Sequence, residues 1–184
     1  MIQQAPIFLI TGTPGSGKSS VARALLQRFE FGLHLPVDDL REFVVSGIAH
    51  PVPDWTEETG RQFRLARMSA ASTAKLYASN DFAVVIDDVI SSDDVSGLFE
   101  APLAEFDFHK IFLQPRLEVT LERNCTRTNK NFDPSFLKEP IRNIHTWMSA
   151  QELPKDWLRL DSSELNLEQT VDVILELSAL SGWI

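Results

Sequence analysis

Residues 7–19 read IFLITGTPGSGKS, an apolar run followed by a glycine-rich turn. The run from Ile7 to Ile10 has the length and composition of a buried strand. After the turn, apolar residues recur at the spacing of one helix face, at Val21, Leu25, Leu26 and Phe29. The pattern predicts a strand–turn–helix unit at the start of an α/β fold.

The turn, Gly12 to Ser19, matches the Walker A pattern G-x-x-x-x-G-K-[ST] in full. Its glycines let backbone N–H groups converge, and the helix that follows adds its positive end, so together they bind a polyphosphate. Lys18 is expected to reach the β and γ phosphates, and the Ser19 hydroxyl to ligate Mg2+. The alternative is an ordinary glycine turn that opens a helix. The residues predicted to contact the nucleotide phosphates are Gly12, Thr13, Pro14, Gly15, Ser16, Gly17, Lys18, Ser19 and Ser20.

A second signal follows the clearest strand pattern, residues 82–86, which ends in Asp87 and Asp88. A strand without polar alternation is typical of the centre of a parallel sheet. Carboxylates at its end lie next to the phosphate loop, where they can support a magnesium ion. We therefore assign the metal site to Ser19, Asp87 and Asp88, with Asp87 favoured in the Walker B role. The alternative is a helix cap or turn after the strand.

Short apolar runs alternate with amphipathic stretches along the rest of the chain. This alternation predicts one domain over residues 1–184, a three-layer α/β fold with a mostly parallel sheet. The further strands are expected at 33–37, 107–113 and 157–160. The further helices are expected from Asp38 through Val44, from Thr56 to about 79, and over 117–127, 135–151 and 167–180.

Composition excludes several classes of function. The chain has 17 Lys and Arg against 26 Asp and Glu, a net charge of −9, and such a field repels nucleic acid and anionic lipid. No apolar run approaches the roughly 20 residues of a membrane span, and no secretory signal is visible. The single cysteine, Cys125, allows no intrachain disulfide. We expect a cytoplasmic protein that binds neither nucleic acid nor membranes.

Phosphoryl transfer needs a carboxylate that activates the attacking hydroxyl and arginines that neutralise the transferred group. Asp38 follows the second predicted strand, at the edge where the carboxyl ends of parallel strands open onto one crevice. It is the candidate base, with Asp39 as a substitute and a helix N-cap as the alternative role. Arg123 and Arg127 share a helix face and are candidates for a lid over about 123–135. Their alternative is a solvated helix surface.

Other nucleotide-dependent classes fit less well. The nearest match to a GTPase base-specificity motif, Asn129 to Asp133, is one residue too long and follows a helix. An assembly ATPase would carry a helical lid domain, for which 184 residues leave no room. A small kinase fits the length. A nucleotide or nucleoside kinase and a non-catalytic ATP-responsive binding protein remain as alternatives.

The chain resembles the P-loop small-molecule kinases, and among them most of all the chloramphenicol phosphotransferase group. Gluconate kinase, shikimate kinase and the zeta toxins are more distantly similar. The resemblance implies a five-stranded parallel sheet in the order 2-3-1-4-5, ATP with Mg2+, and a lid that closes over both substrates. It implies further that Asp38 is the catalytic aspartate, that Arg123 and Arg127 are lid arginines, and that the loop around Ser162 lies near the adenine. The segments that carry the resemblance are 12–19, 37–40, 84–89, 121–127 and 160–163.

The acceptor is expected to be a small molecule with a hydroxyl group. Shikimate is disfavoured because residues 90–95 lack the triple-glycine loop of shikimate kinases. Four arginines fall in elements expected near the acceptor, where a solvated basic stripe is favoured over binding of an anionic acceptor: Arg41, Arg61, Arg64 and Arg67. Three aromatic residues near the acceptor are expected to pack in the core, with the lining of an apolar acceptor pocket as the alternative: Phe43, Trp55 and Phe63. On the later helix, His145 and Trp147 are expected to be packing residues and not ligands.

Overall fold

The computed structural model describes residues 5–52, 54–125 and 138–179 of the chain. Its strands are β1 (Ile7–Thr11), β2 (Gly32–Pro36), β3 (Ala83–Asp88), β4 (Phe108–Leu113) and β5 (Trp157–Leu160). Its helices are α1 (Lys18–Leu26), α2 (Val37–Glu42), α3 (Glu57–Ala78), α4 (Ser92–Val95), α5 (Ala101–Leu103), α6 (Leu117–Cys125), α7 (Lys138–Ser149) and α8 (Leu167–Leu177), and a π-helical turn at Ser96–Glu100 joins α4 to α5.

The five strands form one sheet in the order β2-β3-β1-β4-β5, and every neighbouring pair is parallel. This confirms the predicted fold class and strand order. In the register of β1 and β3, Ile10 pairs with Asp87 and Thr11 with Asp88. The end of β3 therefore lies beside the start of the glycine-rich turn.

Helices cover both faces of the sheet, as its continuous apolar strands require. Successive residues of β1 alternate between two cores. Ile7 and Leu9 pack in the core beneath α3 and the 92–106 segment, whereas Phe8 and Ile10 pack in the core beneath α1 and α8. Because both cores are continuous under the strands, the loops at the carboxyl edge rest on a rigid base.

The second helix begins one residue earlier than the sequence indicates. The N-cap is Pro36, in extended conformation and without a side-chain cap, so Asp38 lies in the first turn of α2. The alternative role of Asp38, as the N-cap of this helix, is therefore wrong. A carboxylate in this first turn interacts favourably with the positive end of the helix. By contrast, α3 starts where the sequence predicts, and Thr56 is its N-cap, in a reciprocal hydrogen-bonding arrangement with Thr59.

The 92–106 segment contains short helical pieces that were not predicted. Val95, Phe99 and Leu103 recur every four residues and are fully buried against α3. Because each helical piece has only three to five residues, no piece is long enough to show a period on its own.

Several expected core aromatics are exposed. Phe43 lies beyond the end of α2 and is 75% exposed. Trp55 is 59% and Trp147 49% exposed, so the prediction of core packing is wrong for all three. Phe63 is buried as expected. No helix among the described residues is both long enough and apolar enough to cross a membrane.

Candidate active site

The glycine-rich loop comes directly after β1 and packs closely against β4 and α6. Gly12, Gly15 and Gly17 have positive φ of 154°, 92° and 101°. A Cβ at Gly12 would lie 2.3 Å from the carbonyl oxygen of Leu113, and one at Gly15 would lie 2.7 Å from that of Thr120. Only glycine fits positions with this backbone conformation and this close approach. The loop is therefore held against the end of β4 and the first turns of α6.

Lys18 reaches back over this loop. Its Nζ donates hydrogen bonds to the carbonyl oxygens of Gly12 at 2.9 Å and Thr13 at 3.3 Å. The Ser16 hydroxyl is buried in the loop and has no hydrogen-bond partner among the described residues. A buried polar atom without a partner is costly unless a ligand satisfies it. The loop, its lysine and this hydroxyl suit a phosphate chain.

Ser19 and Asp87 meet beside the loop, where the Ser19 hydroxyl donates to Asp87 Oδ2 at 2.5 Å. His34 Nε2 lies 3.4 Å from the same oxygen. Burial by itself raises the pKa of Asp87, but the His34 contact, the positive charge of Lys18 and the Ser19 hydrogen bond together lower it below its ordinary value. A buried carboxylate held in its charged form next to a serine hydroxyl is a suitable pair of oxygen ligands for Mg2+.

Asp88 faces a different partner. Arg67 of α3 donates from Nε to Asp88 Oδ2 at 2.7 Å, and from Nη2 to the Val89 carbonyl oxygen at 3.1 Å. Burial raises the pKa of Asp88, and the Arg67 charge and hydrogen bond oppose that effect. The structure therefore brings Asp87, and not Asp88, to Ser19. No cluster of three or more His, Cys, Asp or Glu side chains suited to a metal occurs in the described ranges.

Asp38 is exposed at the carboxyl edge of the sheet, directly after β2. Its negative charge raises the pKa of Arg41, against a larger lowering by burial, and the pKa of Asp88, so Asp38 lies near both groups. Asp39 is its exposed neighbour in the same helical turn.

Arg123 connects three parts of the site. Its Nη1 donates to the Ser16 carbonyl oxygen at 3.2 Å and to the Ser162 hydroxyl at 3.4 Å, and its Nη2 donates to the Ser162 carbonyl oxygen at 3.0 Å. The structure thus joins α6, the glycine-rich loop and the loop after β5 through one guanidinium. Arg127 and most of the predicted lid, residues 126–135, lie outside the described residues.

The predicted solvated arginine stripe is correct for Arg61 and Arg64, which are exposed, but wrong for Arg41 and Arg67. Arg67 is held by Asp88, and Arg41 is 6% exposed with its guanidinium 3.8 Å from the centre of the Phe63 ring. Sequence reasoning also missed His34. Its position two residues before the end of β2 was the available signal, since strand ends line this crevice.

The fold and loop define a P-loop nucleoside triphosphatase domain of the type found in kinases. A family model described as an AAA domain matches residues 7–154, and the chain belongs to this family. The bifunctional enzyme CysN/CysC of Rhodopirellula baltica is 26% identical over 186 aligned positions, which cover 99% of this chain. The aligned region spans only 27% of that relative's length.

Solved structures of kinases share the fold along almost the whole chain. The Mycobacterium tuberculosis APS kinase CysC, in complex with AMPPNP and APS, superimposes with a TM-score of 0.67 at 20% identity, covering 95% of this chain and 98% of that one. A gluconokinase from Sinorhizobium meliloti superimposes with a TM-score of 0.64 at 19% identity, covering 96% and 93%. At these identities the similarity shows a shared fold.

Proposed function

We propose that the protein transfers the γ-phosphate of ATP to a hydroxyl group of a small molecule. The observation that carries the proposal is the pairing of Ser19 with Asp87 beside a loop covered by Lys18. The kinases that share the fold support it, as does the nucleotide analogue in the APS kinase complex. Membership of the chloramphenicol phosphotransferase group and a cytoplasmic location remain part of this proposal.

The proposed phosphate site is the loop from Gly12 to Ser20. Lys18 binds the β and γ phosphates, while backbone N–H groups and the positive end of α1 bind the rest of the chain. Ser19 and Asp87 would hold Mg2+, which would neutralise charge on the phosphates. Ser162 lies near the base, and Arg123 and Arg127 counter the charge of the transferred group.

Asp38 is the proposed general base. The acceptor oxygen attacks the γ-phosphorus as the bond to the β–γ bridging oxygen breaks, and ADP leaves with that bond's electron pair. Asp38 takes the proton that the acceptor hydroxyl loses. The exposed position of Asp38 beyond β2 leaves it open to a substrate, whereas Asp88 is enclosed by Arg67.

The test compares Asp38→Asn with Asp39→Asn, a matched pair because both carboxylates are exposed in the same helical turn. Metabolites and hydroxylated antibiotics are first screened with Mg2+ and ATP for acceptor-dependent release of ADP. With the best acceptor, Asp38→Asn is expected to lower kcat by about 10²–10⁴-fold and to keep ATP affinity within a few-fold. Asp39→Asn should retain the rate. Equal turnover in wild type and Asp38→Asn would reject Asp38 as the base.

A nucleotide or nucleoside kinase would be revealed by acceptors of that class in the same screen. ATP binding without turnover across the whole panel would favour a non-catalytic ATP-responsive protein.

A further inference from the structure

His34 is a mostly buried polar side chain in the strand next to β3. It lies in β2, its side chain is 13% exposed, and its register partner on β3 is Val85. Paired residues of neighbouring strands point to the same face of a sheet, and residues two apart on one strand share a face. His34 therefore lies on the face of Val85 and Asp87. This is the face covered by α1 and α8, because Val85 packs in that core.

An imidazole at this position needs a polar partner, because burying a polar side chain without a hydrogen bond is costly. Its neighbours Leu33 and Leu35 point to the other face and pack in the core beneath α3. The Nε2 atom of His34 lies 3.4 Å from Asp87 Oδ2, which is the long end of the range for a hydrogen bond. A charged carboxylate only accepts hydrogen bonds, so this contact requires the ring proton on Nε2.

The contact from His34 differs in kind from the other hydrogen bond to the same oxygen. Ser19 donates to Asp87 Oδ2 at 2.5 Å, but Ser19 is itself a proposed ligand of the metal ion and belongs to the nucleotide-binding helix. His34 reaches Asp87 from the neighbouring strand, outside the glycine-rich loop. It can therefore hold the carboxylate whether or not a nucleotide occupies the loop.

Side chains that bind a metal ion are commonly oriented by a further hydrogen bond, and loss of that partner typically costs about 10–100-fold in metal affinity. Mg2+ takes oxygen ligands, so an imidazole nitrogen acts on the carboxylate and not on the ion. We propose that His34 is a positioning residue, which donates from Nε2 to Asp87 and fixes this carboxylate for the Mg2+ that Asp87 and Ser19 would hold. This rests on the proposed phosphotransfer function and extends its metal site to β2.

The test measures metal affinity separately from turnover. Mn2+ replaces Mg2+ as the probe, because EPR detects free Mn2+ directly. The protein saturated with AMPPNP is titrated with Mn2+, and AMPPNP affinity is measured by calorimetry in EDTA. His34→Leu removes the donor and is expected to weaken Mn2+ binding about tenfold or more, while AMPPNP affinity in EDTA stays within a few-fold of wild type. An unchanged Mn2+ affinity in folded His34→Leu would overturn the proposal.

A conservative variant separates hydrogen bonding from packing. His34→Gln places an amide N–H close to the position of Nε2 and should keep Mn2+ affinity within a few-fold of wild type. A loss in His34→Gln as large as in His34→Leu would assign His34 to packing and overturn the proposal.

The matched control is His109→Leu. His109 is also a mostly buried strand histidine beside a carboxylate, since its Nε2 lies 3.1 Å from Asp107 Oδ1, but it is near the start of β4, at the opposite end from the glycine-rich loop. This variant should bind Mn2+ as the wild type does. A loss equal to that of His34→Leu would show a general effect of removing a strand histidine and would overturn the specific role of His34.

The wild type alone also tests the proposal. Long-range proton–nitrogen NMR is expected to show the proton of the neutral His34 ring on Nε2. A neutral ring with its proton on Nδ1 would overturn the proposal whether or not the variants fold. Wild type that binds no AMPPNP would overturn the proposed function as well, whereas normal AMPPNP binding with equal Mn2+ affinity in wild type and folded His34→Leu overturns only the role of His34.

Discussion

The buried pair between Arg67 and Asp88 allows a quantitative prediction for the variant Arg67→Met. Their closest atoms are 2.7 Å apart, and their side chains are 11% and 2% exposed. At an effective dielectric constant of about 20, this separation corresponds to roughly 6 kcal/mol of attraction, which desolvation of both groups largely offsets. Removal of Arg67 leaves Asp88 as an uncompensated buried charge, so we expect a loss of about 3–5 kcal/mol in the free energy of unfolding.

For a domain of this length, that loss corresponds to a decrease in Tm of roughly 6–20 °C. The assay is urea unfolding followed by circular dichroism, on Arg67→Met and on the double variant Arg67→Met/Asp88→Leu. The double variant should recover most of the loss, because it also removes the buried charge. A loss below about 1 kcal/mol for Arg67→Met, or a double variant no more stable than the single one, would refute the assignment.

The same variant should show a pH dependence of known sign. Burial raises the pKa of Asp88 above its unfolded value, and Arg67 opposes this rise. A carboxyl group with a raised folded pKa holds its proton in the folded state after the unfolded chain has lost it, so stability falls as pH rises through that range. Without Arg67, the pKa of folded Asp88 rises further, so stability keeps falling up to a higher pH. The stability deficit of Arg67→Met should therefore be larger at pH 8 than at pH 5.

Two further predictions concern the metal and nucleotide sites. Asp87→Asn should raise the Mg2+ concentration for half-maximal activity at least tenfold, whereas Asp88→Asn should change it less than threefold, because only Asp87 contacts Ser19. Equal effects of the two substitutions would contradict this separation of roles. Arg123→Met removes the hydrogen bonds to the Ser16 and Ser162 carbonyl oxygens and should weaken nucleotide binding in calorimetry. Arg116→Met, at an exposed arginine, is its control, and an unchanged Kd for Arg123→Met would contradict a role of Arg123 in nucleotide binding.

The parts of the fold that the sequence predicts depend on local patterns. The glycine-rich loop is recognisable because its backbone conformation requires glycine at positions such as Gly12, and β3 because a central parallel strand is apolar on both faces. The long helix α3 begins at its predicted position because the Thr56 side chain is close in sequence to the N–H group that it satisfies. The strand order came from the family resemblance.

The features of the fold and site that were not predicted depend on contacts between residues far apart in the sequence. Arg67 and Asp88 are 21 residues apart, and no local pattern marks one as the partner of the other. From the sequence alone Arg41 is interpreted as a surface residue, but it is buried because α2 packs against α3. The short helical pieces over 92–106 are held by burial of Phe99 and its neighbours against α3, which is a tertiary effect.

The most direct test of the phosphate site is calorimetric titration of ATP and Mg2+ into wild type and Lys18→Ala. Lys18 covers the loop through its contacts with Gly12 and Thr13, so its ammonium group is placed to bind the phosphate chain. We expect saturable binding to the wild type with a rise in Tm, and at least tenfold weaker binding to the folded variant. Folded wild type that shows neither heat nor a rise in Tm with ATP would contradict the account.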